Sequence, residues 1–121
     1  MKRIVAIDDC RLTLQITQDM LEGEGYEVTT ATNSNEAFNA ILHGDKPSLL
    51  LIDVTMPLIE GDAIVKALKG NSRTNDIPIL YYSSKSAEEL QSLVDVTGAD
   101  GYLTKPISQN DLIRAVRSIV S

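Results

Sequence analysis

The chain has 121 residues, 43% of them hydrophobic and 23% charged, and carries a formal net charge of −6. This is enough chain for one well-cored domain, and the ordinary globular composition argues against disorder. The acidic balance argues against nucleic acid as a direct partner, since phosphate contacts need clustered Lys and Arg; a lone cysteine, Cys10, excludes an internal disulfide and fits a reducing cytoplasm.

The start, Met1-Lys2-Arg3, is basic, but only Ile4 to Ile7 follow before Asp8 and Asp9, too short a run for a signal peptide. No apolar run approaches the length that crosses a membrane. Ile4 to Ile7 is predicted as a first buried strand with the acid pair at its end. Leu12, Ile16 and Met20 then recur at a spacing of four, with Leu14 and Leu21 widening the apolar face, so a helix follows. Gly23 and Gly25 end it. Tyr26 to Ala31 is β-branched and partly alternating, which predicts a second strand. Asn33 or Ser34 can cap a helix whose inward side is Ala37, Ile41 and Phe38, closed by Gly44 and Pro47.

Leu49 to Ile52 is an unbroken apolar run, as expected of a strand buried on both faces of a parallel sheet. It stops at Asp53, and Pro57 shows that the chain has left the sheet. Gly61 precedes a helix carrying Ile64, Val65 and Leu68, which ends at Gly70-Asn71. Ile77 to Tyr82 predicts a fourth strand leading to Ser83-Ser84, and Glu88 to Val96 a fourth helix with Leu90, Leu93 and Val94 inside. Gly101 to Leu103 predicts a short fifth strand ahead of Lys105-Pro106. Ser108 caps a last helix with Leu112, Ile113, Val116 and Ile119/Val120 inside.

Five strand–helix units without a linker or repeat imply an α/β domain over 1–121, a parallel sheet covered on both faces through right-handed crossovers. The pattern does not fix the strand order; 2-1-3-4-5 is one of the two common doubly wound solutions, and it sets strands one and three side by side. In that order Asp8, Asp9 and Asp53 meet at the edge where such sheets bind ligands. Packed carboxylates repel, so the cluster should take up protons or hold a cation, and oxygen ligands suit Mg²⁺. Ser83 ends strand four and Lys105 follows strand five. A nucleophilic carboxylate, a hard cation, a hydroxyl and an ammonium together make a site for a transferred phosphoryl group.

With Asp8-Asp9, Asp53 followed by Met56-Pro57 and Gly61, then Ser83, Tyr102 and Lys105-Pro106 at matching spacings, the chain resembles the receiver domain of bacterial two-component response regulators. The resemblance covers essentially the whole chain. It implies the flavodoxin-like (βα)5 fold with sheet order 2-1-3-4-5, and a stand-alone receiver in the manner of the chemotaxis receivers. It implies Asp53 as phosphoacceptor; Asp9, Asp53 and the backbone carbonyl of Thr55 as Mg²⁺ ligands, with Asp8 assisting through water; and Ser83 and Lys105 on the phosphoryl oxygens. Ser83 and Tyr102 would be the switch pair, and the peptide before Pro106 would be cis. The implied partners are a histidine kinase or histidine phosphotransfer protein, and a downstream protein docking on helix four, strand five and helix five. Neither nucleic acid nor membrane is an expected partner, and Asp53 chemistry is self-catalysed rather than enzymatic.

The sequence departs from the family pattern at Ser84, usually a small residue such as alanine, and at Asp62, usually apolar. Thr55 and Lys85 fill the two variable positions that flank the site. Two rivals are weaker. An aspartate-dependent Mg²⁺ phosphatase wants a second Asp where Thr55 stands, and an unphosphorylated interaction module would not need the complete site. His43, the only histidine, reads as a solvated helix-end residue. Cys10 reads as passive packing, its thiolate favoured by the helix start and opposed by the acid pair, and Tyr81 and Tyr82 also read as packing.

Overall fold

Strand and helix alternate as β1 (Arg3–Ile7), α1 (Arg11–Glu22), β2 (Glu27–Ala31), α2 (Ser34–Leu42), β3 (Leu49–Ile52), α3 (Gly61–Lys69), β4 (Ile79–Ser83), α4 (Ala87–Thr97), β5 (Gly101–Thr104) and α5 (Gln109–Ile119). The computed structural model describes residues 2–54 and 61–120, Gly61 and Asp62 by their backbone alone. All strand pairs are parallel, and the sheet order is β2-β1-β3-β4-β5, the doubly wound order.

Side chains alternate across a strand, so each strand feeds two cores. Ile4, Ala6, Leu49, Leu51 and Leu80 face the layer of α1 and α5, meeting Leu14, Leu21, Leu112 and Val116. Val5, Ile7, Leu50, Ile52, Ile79 and Tyr81 face α2, α3 and α4, meeting Ala37, Ile41, Ile64, Val65, Leu68 and Leu90. β3 sits centrally and is buried at all of its positions, as its unbroken apolar run predicts. Each of its side chains contributes on the order of 2 kcal/mol of burial.

The helix starts follow their capping residues. Asn33, Ser86 and Ser108 accept hydrogen bonds from the backbone N–H of Glu36, Glu89 and Asp111. Glu36 reaches back to the Thr32 N–H at 2.8 Å and its hydroxyl at 2.7 Å. Gly98 ends α4 at φ +84°, the left-handed conformation that favours glycine. His43 is exposed at the end of α2, as expected.

Two expectations are corrected. The inward face of α1 is Leu14, Thr17 and Leu21, whereas Leu12 and Ile16 are 71% and 51% exposed. A polar Thr17 in the buried stripe hides the true face, and the apolar Leu12–Ile16 pair mimics one. β4 starts at Ile79, later than expected, because Pro78 has no N–H for the ladder and the Ile77 N–H closes a turn on the Thr74 carbonyl. Among the described residues, no helix is long and apolar enough to cross a membrane.

Candidate functional site

The sheet register brings the site together. Ile7 pairs with Ile52, and Ile52 with Tyr81. One step further along each strand stand Asp8, Asp53 and Tyr82, side by side where the strands open into loops. Backbone bonds fix the two acids: the Asp53 N–H donates to the Ile7 carbonyl at 2.9 Å, and the Asp8 N–H to the Ala31 carbonyl at 3.0 Å. Asp8 continues the parity of Ala6, and Asp53 that of Leu51, so both lie on the α1/α5 side of the sheet. Both are buried.

Lys105 enters from the far side of β4. Its N–H donates to the Ser83 carbonyl at 2.8 Å, which extends the β4–β5 ladder to the end of the sheet. The Lys105 ammonium lies 2.6 Å from Asp8 Oδ2 and 3.3 Å from Asp53 Oδ2. The Lys105–Pro106 peptide is cis, as expected. The remaining oxygen of Asp8, Oδ1, accepts the Cys10 N–H at 2.9 Å. Ser83 is fully buried on the opposite face of β4, and its hydroxyl oxygen accepts the Lys85 N–H at 3.3 Å.

One ammonium carries a single positive charge against two buried carboxylates. Burial pushes the Asp8 carboxyl above its ordinary value, outweighing the pull of Lys105. For Lys105, burial acts downward, but the Asp8 and Asp53 carboxylates more than offset it and its pKa is raised. A cluster of carboxylates was expected to demand a cation; in this structure the lysine supplies one.

Of the three expected acids, the structure buries Asp8 and Asp53 together at this opening. Asp9 is exposed, and among the described residues no three His, Cys, Asp or Glu side chains form a metal-binding group. The donor set still fits a hard cation, since Mg²⁺ is usually held by one or two carboxylates and waters. Asp8 and Asp53 offer two buried carboxylates at one opening, with Asp9 adjoining. Thr55, Met56 and Pro57 lie outside the described residues, as does the side chain of Asp62. Gly61 opens α3.

Tyr102 is half-buried and pairs in register with Tyr81, on the face that also carries Ser83. It packs against the α2/α3/α4 core. Tyr81 is fully buried and its hydroxyl shares a 2.9 Å hydrogen bond with Thr97 Oγ1. Ser84 is exposed, and the Lys85 ammonium lies 3.5 Å from Glu89 Oε2, one turn along α4. Cys10 is exposed at the start of α1 instead of packed. The residue that sequence reasoning missed is Tyr82, whose ring lies 4.8 Å beneath the Lys105 ammonium. Strand parity carries that signal, because Tyr82 and Lys105 fall on one face once the strand ends are known.

A family model, the response regulator receiver domain, matches residues 4–117. Response regulator SaeR of Staphylococcus aureus is 31% identical over 121 residues, which is all of this chain and 51% of that protein. The chain therefore spans about half the length of the curated relatives it matches. Among solved structures, chemotaxis response regulator CheY4 of Vibrio cholerae is similar with a TM-score of 0.88 and 28% identity, over 98% of both chains. A putative response regulator from Chloroflexus aurantiacus is similar with a TM-score of 0.90 and 28% identity, over 98% of this chain and 97% of that one.

Proposed function

The chain belongs to the response regulator receiver domain family, and from that premise we propose that residues 1–121 act as a phosphoacceptor switch, taking a phosphoryl group from a histidine kinase or histidine phosphotransfer protein onto Asp53. The observation that carries the reading is the Lys105 ammonium bridging Asp8 and Asp53 at the carboxyl ends of β1 and β3. Such a pair of buried carboxylates with an ammonium between them suits a group that brings its own negative charge.

In the proposed reaction an Asp53 oxygen attacks phosphorus in line. The Oδ–P bond forms as the N–P bond to the donor imidazole breaks, and the imidazole leaves with its electron pair. Lys105 turns from the carboxylates to the phosphoryl oxygens, and the Ser83 hydroxyl donates to another of them. Receiver domains of this family typically bind Mg²⁺; here Asp9, Asp53 and the Thr55 carbonyl would hold it directly and Asp8 through water, and it would neutralise developing phosphoryl charge.

Phosphorylation adds charge and acceptor oxygens at Asp53. When Ser83 turns to meet them it vacates space on its own face of β4, and Tyr102, on that face, turns inward. The altered surface of α4, β5 and α5 then meets a downstream protein. Receiver domains are generally not enzymes in the usual sense, and this one acts on its own Asp53 in the cytoplasm, without nucleic acid or membrane as a direct partner.

The test is phosphotransfer from a histidine kinase labelled on its histidine. Label should pass to the wild-type protein in Mg²⁺ and stop with a chelator or with Asp53→Asn. Transfer to Asp53→Asn at the wild-type rate would refute the assignment.

A further inference from the structure

The Lys105 ammonium has a partner beyond the two carboxylates: the Tyr82 ring, with 4.8 Å between Nζ and the ring centroid. Sheet geometry puts it there. Tyr82 and Leu103 are partners in register, and side chains alternate, so Tyr82, Leu103 and Lys105 share one face. Asp8 and Asp53 end on the same face. The ring is half-buried and packs against the α1/α5 core. Together with Asp8, Asp53, Thr13 and Thr17 it lines a small void of about 10 Å³. The Lys105 side chain is itself only 17% exposed. A cation over a ring face in such a partly desolvated place is held more firmly than at an open surface.

We propose that Tyr82 is a positioning residue for Lys105: its ring face holds the ammonium over Asp8 and Asp53 and so sets how readily those carboxylates pass to an incoming divalent cation. This rests on the reading of the two acids as the cation-holding carboxylates of a phosphoacceptor site. A divalent cation would draw on the same two carboxylates as the ammonium, Asp8 and Asp53. A contact that stabilises the lysine-bridged form therefore weakens cation binding by the same factor. Removing the ring leaves Lys105 with the carboxylates alone and tips the competition towards the metal.

The experiment is calorimetric titration of the unphosphorylated protein with Mg²⁺, on wild type, Tyr82→Leu and Tyr82→Phe, each with Lys105 and with Lys105→Met. Tyr82→Leu should bind Mg²⁺ about two- to tenfold more tightly than wild type, the range of a partly buried cation–π contact. Tyr82→Phe keeps the ring face and should stay within about twofold of wild type. With Lys105→Met, the Tyr82→Leu substitution should change nothing. Should Tyr82→Leu fail to fold, Tyr82→Met removes the ring at similar length and gives the same comparison. Equal affinities for wild type and the ringless variant would overturn the inference, as would an equal tightening without Lys105 or a Phe variant that behaves like Leu. Wild-type protein that binds no Mg²⁺ overturns the cation-site reading together with this inference; wild-type binding with an unchanged Tyr82→Leu affinity overturns this inference alone.

Discussion

The Lys105 ammonium is 2.6 Å from Asp8 Oδ2, across nearly the full length of the chain, and the same nitrogen is 3.3 Å from Asp53 Oδ2. This bridge is what lets two buried carboxylates share one opening in the folded protein. Lys105→Met would remove the ammonium that bridges them. The variant should lose about 3 kcal/mol of stability without divalent cation, since removing one partner of a buried ion pair is destabilising. Mg²⁺ should restore much of that loss, because a ligand of the native state stabilises it by mass action. Thermal unfolding with and without Mg²⁺ checks this; a loss that Mg²⁺ leaves untouched would contradict it.

Asp8 makes the opposite contribution. Burial holds its carboxyl above the ordinary value of 3.8 despite the adjoining ammonium. The folded chain thus binds this proton more tightly than the unfolded chain does. The stabilisation is fully present below 3.8 and is lost as pH rises through the raised value. Ionised Asp8 therefore costs stability at neutral pH. Asp8→Asn, which keeps an acceptor for the Cys10 N–H, should raise Tm by on the order of a few degrees at neutral pH. The gain should shrink as pH is lowered. A gain independent of pH would point to some other cause.

The lifetime of the phosphoryl group should be long. Hydrolysis needs a water in line with the Oδ–P bond, and the family resemblance assigns Thr55 and Lys85 to the two positions that flank this approach. A carboxylate or amide there can accept a hydrogen bond from that water, whereas a lysine offers no acceptor. The Lys85 ammonium is turned towards Glu89, at 3.5 Å. A Thr55→Asn, Lys85→Glu double variant should lose its phosphoryl group several-fold faster than wild type. Decay of the phosphorylated proteins, followed side by side, decides it, and an equal or slower rate in the variant would dispose of the idea.

The sequence carried the sheet more clearly than the site. The unbroken run Leu49–Ile52 and the alternation of strand and helix signals are local, and they led to the right elements and a parallel sheet. Strand order came from resemblance, since nothing local encodes which strands are neighbours. The α1 face was misread because Thr17 is polar yet buried, while Leu12 and Ile16 are apolar yet exposed. At the site, Lys105 bridges Asp8 and Asp53, a contact that nothing local in the sequence signals. Parity put Asp8 and Asp53 on one face, and left Asp9, one residue on, exposed. Tyr82 looked like packing because its neighbour Lys105 lies just past the end of β5, reached only through the β4–β5 register.

The most direct test of the account is to find where a phosphoryl group goes. The protein is incubated with acetyl phosphate and Mg²⁺, digested, and its peptides are weighed by mass spectrometry. The account predicts a single added phosphoryl group on the peptide containing Asp53, absent with a chelator and absent from a folded Asp53→Asn variant. A phosphoryl group on any other residue of the wild-type protein, or none on Asp53, would contradict it.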